Sequence, residues 1–240
     1  MYSGFSNISI SEYEDTAEEM LPINQPYILV EGNNKLFYQN LNEFNGCFIK
    51  GSKDCESIKS KVHTELTNGR QKYIGIIDND YFYHNQINNI FVVDYYCIEN
   101  ICLEFFQQFS TLRGELKSFF ENNELEDIQS FKILGKFGKY DDSKKVMPPF
   151  IVDFGAKHDI SFKNYIKNTI NSLESFYKYA DLKQIVERYI EYHKRCHGNK
   201  NKIKHLEDLH MALPTPSTAH VFNTKTNFSL AMTIKTIKNF

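Results

Sequence analysis

The chain has 240 residues with 28 basic and 30 acidic side chains, so its formal net charge is −2 at pH 7. Its 41% apolar content excludes an intrinsically disordered chain, and its apolar runs are far shorter than the roughly 20 residues of a membrane span. The acidic N-terminus does not resemble a secretory signal, and five cysteines without CxxC spacing are typical of a reducing compartment. We therefore expect a cytoplasmic protein that makes no membrane contact.

The first half of the chain alternates between short apolar runs and helical patterns. Four runs are rich in β-branched or aromatic side chains and predict buried strands: 27–30, 47–49, 73–77 and 90–93. Three segments carry apolar residues at helical spacing: 34–44, 57–67 and 98–109. This alternation predicts an α/β fold, with a mostly parallel sheet flanked by helices on both faces.

The second half is predicted to be mainly helical. The clearest helical patterns cover residues 112–122, 162–180 and 182–197. The stretch 135–149 interrupts them and predicts a loop or a small hairpin. We therefore divide the chain into three parts: a poorly ordered lead-in (1–24), an α/β core (25–110) and a mainly helical extension (111–240).

Charge is distributed unevenly between the two halves. Residues 1–110 carry 7 basic and 15 acidic side chains, a balance of −8, whereas residues 111–240 carry 21 and 15, a balance of +6. One interpretation is that carboxylates in the first half hold a metal and cations in the second half hold a polyanion. The alternative is that two surface helices are simply rich in lysine.

Three carboxylates follow the predicted strands where an α/β sheet places its ligands. Glu31 directly follows the first strand, and Asp78 and Asp80 follow the third. Ligand sites in such sheets lie beyond the carboxyl ends of the strands. If the first and third strands are neighbours, the three carboxylates converge, and their mutual repulsion calls for a cation. Oxygen ligands favour Mg²⁺ or Mn²⁺.

Each of these signals alone has an ordinary structural explanation. The glycine after Glu31 is common in a strand-to-helix turn, and aspartates such as Asp78 and Asp80 often cap helices or start turns. Their combination, in this order and with a β-α spacer between them, is more specific than either motif. The combination indicates a set of carboxylates that binds a metal for phosphodiester hydrolysis or strand transfer.

The run Val30-Glu31-Gly32, followed by Ile77-Asp78-Asn79-Asp80, resembles the Toprim domain of primases, topoisomerases and OLD-family nucleases. Together with the later segment 94–100, these motifs more closely resemble the Toprim nuclease-like effectors of bacterial anti-phage defence. The resemblance covers residues 25–110, and the extension is matched only loosely. It implies a Toprim-like sheet followed by helices.

The same resemblance assigns roles to four carboxylates. It implies that Glu31 is a metal ligand or general acid/base and that Asp78 and Asp80 are metal ligands. Glu99 matches a family Glu-Asn pair that completes the acidic cluster; the alternative is a carboxylate that interacts with the positive end of a helix. Relatives often carry an aspartate where this chain has Asn34, so a second metal would be bound more weakly.

The resemblance implies a Mg²⁺-dependent or Mn²⁺-dependent nuclease that cleaves DNA, tRNA or another RNA. Such effectors are toxic, act with an ABC-type ATPase sensor subunit and are commonly dimers, so a homodimer is an expectation. The alternative function is a non-catalytic Toprim-like module that serves as a partner-binding subunit of an ATPase complex. Asn34 at the position of the acidic residue and the modest net charge motivate that alternative.

The densest basic run in the extension is the candidate nucleic-acid contact. Its members are Lys194, Arg195, Lys200, Lys202 and Lys204. Such an array can bind phosphates as point charges, but it can equally be a solvated helix end. The sequence lacks a nucleotide-binding P-loop, so any ATPase activity must come from a partner.

Overall fold

The computed structural model describes residues 22–80, 87–129, 131–137, 150–157, 166–197 and 205–240. Its strands are β1 (Tyr27–Glu31), β2 (Phe48–Ser52), β3 (Tyr73–Ile77), β4 (Ile90–Val92), β5 (Phe131–Phe137) and β6 (Phe150–Lys157). The first four form a parallel sheet in the order β2-β1-β3-β4, and the last two form an antiparallel pair. The predicted α/β class and parallel sheet are therefore confirmed.

The helices surround this sheet and continue to the C-terminus. They are α1 (Lys35–Tyr38), α2 (Cys55–Thr67), α3 (Ile101–Phe105), α4 (Ser110–Glu121), α5 (Leu125–Ile128), α6 (Leu173–Tyr179), α7 (Lys183–His197) and α8 (Thr224–Lys238). Short 3-10 turns cover Gly32–Asn34, Asn42–Phe44, Ile98–Asn100, Gln107–Phe109, Leu206–Ala212 and Thr218–His220. No helix in this described part of the chain has the length and apolar character needed to cross a membrane.

Side chains of the parallel sheet alternate between two hydrophobic clusters. Ile28 and Ile74 belong to a large cluster that also contains residues of α7 and α8, whereas Tyr27 and Tyr73 pack with Ile58 of α2. Because successive strand residues point to opposite faces, β1 and β3 are buried on both sides. The predicted arrangement of helices on both faces is confirmed.

Two predicted helices are interrupted. The segment 34–44 contains one short helix, α1, because Asn40 Nδ2 donates to Leu36 O at 2.7 Å and competes with helix continuation. The segment 98–109 breaks at Phe106, whose backbone is extended. There the guanidinium of Arg113 donates to the carbonyl oxygens of Leu103 and Phe106, at 3.1 and 3.2 Å.

The extension is less helical than predicted, because β5 and β6 form an antiparallel hairpin within it. The predicted loop or small hairpin at 135–149 begins inside β5, which includes residues 135–137, and residues 138–149 lie outside the described part. Residues 170–172 also separate α6 from the helical turn 166–169, so the helix predicted over 162–180 is interrupted. The large hydrophobic cluster spans the proposed boundary at residue 110. Of the predicted lead-in, residues 1–21 lie outside the described ranges.

Gly75 in β3 allows α2 and β4 to approach the strand closely. A Cβ atom added there would overlap Ile90 Cδ1 and Ile58 Cγ2, whereas a Cβ added at Gly114 in α4 would meet nothing within 4 Å. We expect Gly75→Ala to lower the free energy of unfolding by about 1–3 kcal/mol through overpacking. The matched control Gly114→Ala is expected to raise it by about 0.5–1 kcal/mol. Urea unfolding measures both, and equal effects would contradict the packing argument.

Candidate functional site

The carboxyl ends of β1 and β3 bring two of the predicted site residues together. The strands are parallel neighbours, with Val30 opposite Ile76. Glu31, the last residue of β1, therefore lies beside Asp78, which directly follows β3. Its Oε1 atom accepts a hydrogen bond from the backbone N–H of Asp78 at 3.0 Å. The first and third strands are thus neighbours, which is the condition on which the expected convergence depended, and Glu31 and Asp78 lie close together.

The side chain of Asp78 is 4% exposed, although it is an ionisable group. Its Oδ2 atom accepts a long hydrogen bond, 3.5 Å, from Asn34 Nδ2, and its Oδ1 atom is buried with no hydrogen-bond partner among the described residues. Burial, followed by repulsion from Glu99, Glu31 and Asp80, raises the pKa of Asp78 well above its usual value. The site therefore opposes the ionised form unless something compensates its charge.

Glu31 and Asp80 lie nearer the surface of the same cluster. Burial raises the pKa of Glu31; the hydrogen bond from Asp78 opposes this shift, and repulsion from Asp80 adds to it. Asp80 has a positive φ of 31°, a conformation that costs a non-glycine residue about 1 kcal/mol or more. Its backbone N–H donates to Tyr96 O at 3.3 Å. This turn brings Asp80 within electrostatic range of both other carboxylates.

Glu99 belongs to the same cluster and is completely buried. It lies in the 3-10 turn Ile98–Asn100, and neither carboxylate oxygen has a hydrogen-bond partner among the described residues. Lys183 Nζ lies 3.4 Å from Glu99 Oε1, which is ion-pair distance without hydrogen-bond geometry. Glu99 therefore lies beside Asp78 in the acidic cluster and also directly before α3, so its metal-ligand role and its helix-end role both stay predictions.

Lys183 is a site residue that the sequence analysis missed. Burial works against its charged form, but attraction to Glu99, followed by Cys97 and Asp78, more than offsets this, so its pKa is raised. Lys183 is also the first residue of α7, which has no acidic residue in its first turn. A cation at the positive end of a helix is unfavourable. That unusual placement was the available sequence signal.

Tyr38 is the second residue that the sequence analysis missed. Its hydroxyl is buried without a hydrogen-bond partner in the described part of the chain. Burial, followed by repulsion from Asp78, Glu31 and Glu99, raises the pKa of the phenol well above its usual value. The phenol therefore stays protonated and brings a hydrogen-bond donor to the acidic cluster. In the sequence, nothing distinguishes Tyr38 from the other residues of the predicted helix 34–44.

Asn100 connects the turn that carries Glu99 to the start of α7. Its side chain is fully buried and donates from Nδ2 to Tyr177 O and Ala180 O at 2.8 and 3.0 Å. These carbonyls belong to the end of α6 and the residue after it, only a few residues before Lys183. The amide thereby sets the position of Lys183 relative to Glu99.

Asn100→Ala is expected to make Lys183 more reactive toward an amine-acylating reagent. Displacing the ammonium from Glu99 lowers its pKa, and each unit of pKa changes the fraction of reactive neutral amine about tenfold. Mass spectrometry measures the acylation of Lys183 relative to Lys225 in the same sample. The matched control is Asn123→Ala, which removes a 2.7 Å bond from a side-chain amide to Phe119 O on α4. Equal reactivity in the two variants would contradict the positioning role.

The donor set fits an oxygen-preferring cation such as Mg²⁺ or Mn²⁺. Three buried carboxylate oxygens lack hydrogen-bond donors within the described ranges: Asp78 Oδ1, Glu99 Oε1 and Glu99 Oε2. A buried carboxylate without a hydrogen-bond donor is costly; Lys183 balances part of the charge of Glu99, and a divalent cation would balance the rest. No group of three or more His, Cys, Asp or Glu side chains among the described residues is already gathered for a metal.

The predicted nucleic-acid residues are only partly described. Lys194 and Arg195 are exposed on α7, whereas Lys200, Lys202 and Lys204 lie outside the described ranges. Lys194 is three helical turns from Lys183, roughly 16 Å along the axis. Glu187 lies one turn from Lys183 on the same face, and burial followed by repulsion from Glu99 raises its pKa. Glu187 and the adjacent Arg188 therefore lie between the cluster and the basic end of α7.

Protein-family models, curated proteins and solved structures provide no match to this chain. The four-stranded parallel sheet flanked by helices is compatible with a Toprim-like fold. The membership in a nuclease family, the cofactor and the partners stay predictions.

We expect the metal-free protein to lose stability as the pH rises above about 4. Folding raises the pKa of Asp78 above 3.8 and that of Glu31 above 4.5. Protons bound more tightly by the folded state stabilise it fully below those ordinary values, and this stability disappears as the pH rises through the raised values. Urea unfolding in chelator between pH 4 and 8 tests this. A pH dependence no steeper than that of Asp78→Asn would contradict the expectation.

Proposed function

We propose that this chain is a divalent-metal-dependent nuclease that cleaves phosphodiester bonds in DNA or RNA. We further propose that it is the toxic effector of an anti-phage defence complex and that a partner ATPase controls it. The observation that carries the proposal is that buried carboxylate oxygens of Asp78 and Glu99 receive no hydrogen bond from the described residues. These oxygens lie near Glu31, at the carboxyl edge of the parallel sheet. Ligand sites of α/β sheets lie at this edge.

The proposed mechanism assigns a separate task to each group. Glu31, Asp78 and Asp80 hold the metal, with Glu99 completing the acidic cluster. A bound divalent cation lowers the pKa of its water and neutralises charge on the reacting phosphate. Glu31 has a raised pKa, so it takes up and releases a proton more readily near neutrality than an exposed glutamate does.

Lys183 supports the same chemistry from α7. Its side chain is 42% exposed, while its ammonium remains within ion-pair distance of buried Glu99. It balances part of the negative charge of the cluster and keeps N–H donors directed away from Glu99 for a phosphate oxygen. Lys194 and Arg195, farther along the helix, provide charge for more distant phosphates. A nucleic acid, which carries phosphates over that length, suits this arrangement better than a small phosphate ester.

A cleavage panel tests the proposed function. We would incubate the chain with supercoiled DNA, single-stranded DNA or total tRNA in Mg²⁺ or Mn²⁺, with and without the cognate ATPase. Wild type is compared with Glu31→Ala and with the matched control Glu121→Ala, an exposed glutamate on α4. We expect Glu31→Ala alone to abolish cleavage. Cleavage that persists in Glu31→Ala, or a wild type that cleaves nothing even with the ATPase, would reject the proposal.

Asn34 favours a second candidate, a non-catalytic module that binds a partner ATPase. Its neutral side chain donates to Asp78 Oδ2 at 3.5 Å, so this position adds no negative charge for a second metal. This candidate predicts that Asp78→Ala leaves the biological phenotype intact, while changes on the surface of the extension abolish it. The nuclease proposal predicts loss of the phenotype in Asp78→Ala protein that still folds.

A further inference from the structure

A large groove lies along the outer edge of the parallel sheet, away from the acidic cluster. It encloses about 1110 Å³ and is formed by β4 as its floor and by α2 and α8 as its walls. His63 and Thr67 come from α2, and Lys225, Ser229 and Thr233 come from α8. We refer to this space, floored by β4, as the edge groove.

The backbone of β4 presents hydrogen-bonding groups to the edge groove. Val93 N–H donates inward to Ile77 O at 3.0 Å, whereas Asp94 N–H donates outward to Val221 O at 2.9 Å. Because successive strand residues direct their backbone groups to opposite sides, Val92 directs its N–H and C=O outward. Among the described residues, β4 pairs with a strand on one side only, and that strand is β3. An added strand on the other side of β4 would extend the pairing that begins with the hydrogen bond between Asp94 and Val221.

The walls of the groove suit a peptide better than a nucleic acid. Hydroxyl and amide side chains predominate, Lys225 supplies one positive charge, and no carboxylate lines the groove within the described part of the chain. A nucleic acid carries one negative charge on every nucleotide, and a single lysine neutralises little of that charge. Amide and hydroxyl side chains, by contrast, can form hydrogen bonds with the backbone of a polypeptide. The charge complementarity points to a segment that carries a carboxylate.

The exposed side of α8 adds apolar surface next to the edge groove. Phe228 and Met232 are 67% and 46% exposed, and they lie one helical turn apart on the same side of α8. Large exposed apolar side chains grouped in this way are typical of a protein-protein contact. A segment that leaves the groove over α8 would cover them.

We propose that the edge groove binds an extended, acidic segment of a partner protein, which adds a fifth strand to the sheet beside β4. Main-chain hydrogen bonds to Val92 provide affinity, as in other additions of a strand to a sheet edge, and Lys225 selects an acidic side chain. This binding site is independent of the proposed nuclease activity, because the groove and the acidic cluster share no residue.

The test uses the full chain and a display library of random twelve-residue peptides. Peptides are selected on wild type and then measured on Val92→Pro, which removes the outward N–H while the inward bond of Val93 remains, and on Lys225→Glu, an exposed change on α8. We expect the selected peptides to be acidic and to bind each variant at least about tenfold more weakly than they bind the wild type. Thermal unfolding confirms that both variants fold.

Several outcomes would overturn the proposal. Peptides that bind all three proteins equally would place the contact elsewhere, and the absence of wild-type-specific peptides would remove the groove as a peptide site. A concentration-dependent dimer that Val92→Pro abolishes would assign the edge to a second copy of the chain. Each readout is a binding measurement, so failure of the nuclease assay has no bearing on it.

Discussion

Asp78→Asn is expected to abolish metal-dependent cleavage while making the metal-free protein more stable. The substitution keeps the shape of a side chain that is 4% exposed and removes a charge that Glu99, Glu31 and Asp80 oppose. We expect the free energy of unfolding in chelator near neutral pH to rise, because the asparagine side chain carries no charge that burial and the neighbouring carboxylates would oppose. Loss of a ligand should reduce cleavage by at least about 100-fold.

Thermal unfolding with and without Mg²⁺ distinguishes the two effects. Mg²⁺ should stabilise the wild type by binding the folded state and should have little effect on Asp78→Asn. The matched control is Asp153→Asn, an exposed aspartate in a 3.4 Å ion pair with Lys136 on the hairpin; it should change stability by less than about 0.5 kcal/mol. A destabilised Asp78→Asn protein that still responds to Mg²⁺ would contradict the interpretation of Asp78 as a strained metal ligand.

Lys183→Met is expected to destabilise the protein more than Glu99→Gln does. Removing the ammonium leaves the carboxylate of Glu99 buried without its partner, whereas removing the carboxylate leaves Lys183, which is 42% exposed, free to reach water. Because of that exposure we expect a loss of about 1–3 kcal/mol, below the 3–5 kcal/mol typical of a fully buried pair. Glu99→Gln should change stability by less than about 1 kcal/mol.

A double-mutant cycle measures the coupling between the two residues. The double variant Glu99→Gln/Lys183→Met should recover most of the stability that Lys183→Met loses, because no buried charge is left unpaired. Lys117→Met is the control, since its 3.6 Å ion pair with Glu121 is exposed on both sides and is worth less than about 1 kcal/mol. Additive effects of the two substitutions at Glu99 and Lys183 would show that they act independently.

Local hydrophobic patterns were sufficient to predict the parallel sheet. The runs that form β1 and β3 are apolar on both faces, because helices cover the sheet from both sides. A strand of this kind is recognisable from its composition alone. The alternation of strands and helices along the chain also predicts that Glu31 and Asp78 lie at the same edge of the sheet.

Helix boundaries were less predictable, because distant side chains determine them. The break at Phe106 depends on Arg113, whose guanidinium donates to the carbonyls of Leu103 and Phe106 from the following helix. The hairpin of β5 and β6 likewise owes its place in the extension to packing, since Gly135 lies against Ile185 of α7 and Phe150 of β6. Periodicity within a segment contains no information about such contacts.

The sequence by itself determined the strand ends and therefore the acidic residues that follow them, because strand formation depends on local composition and the parallel connection brings those ends to one edge. Only the tertiary structure decided which other residues join them. Tyr38, Asn100 and Lys183 come from three separate elements and lie around Glu99 and Asp78 because the core packs those elements together. Burial also decides their chemistry, since the same carboxylates in water would neither repel one another strongly nor require a cation.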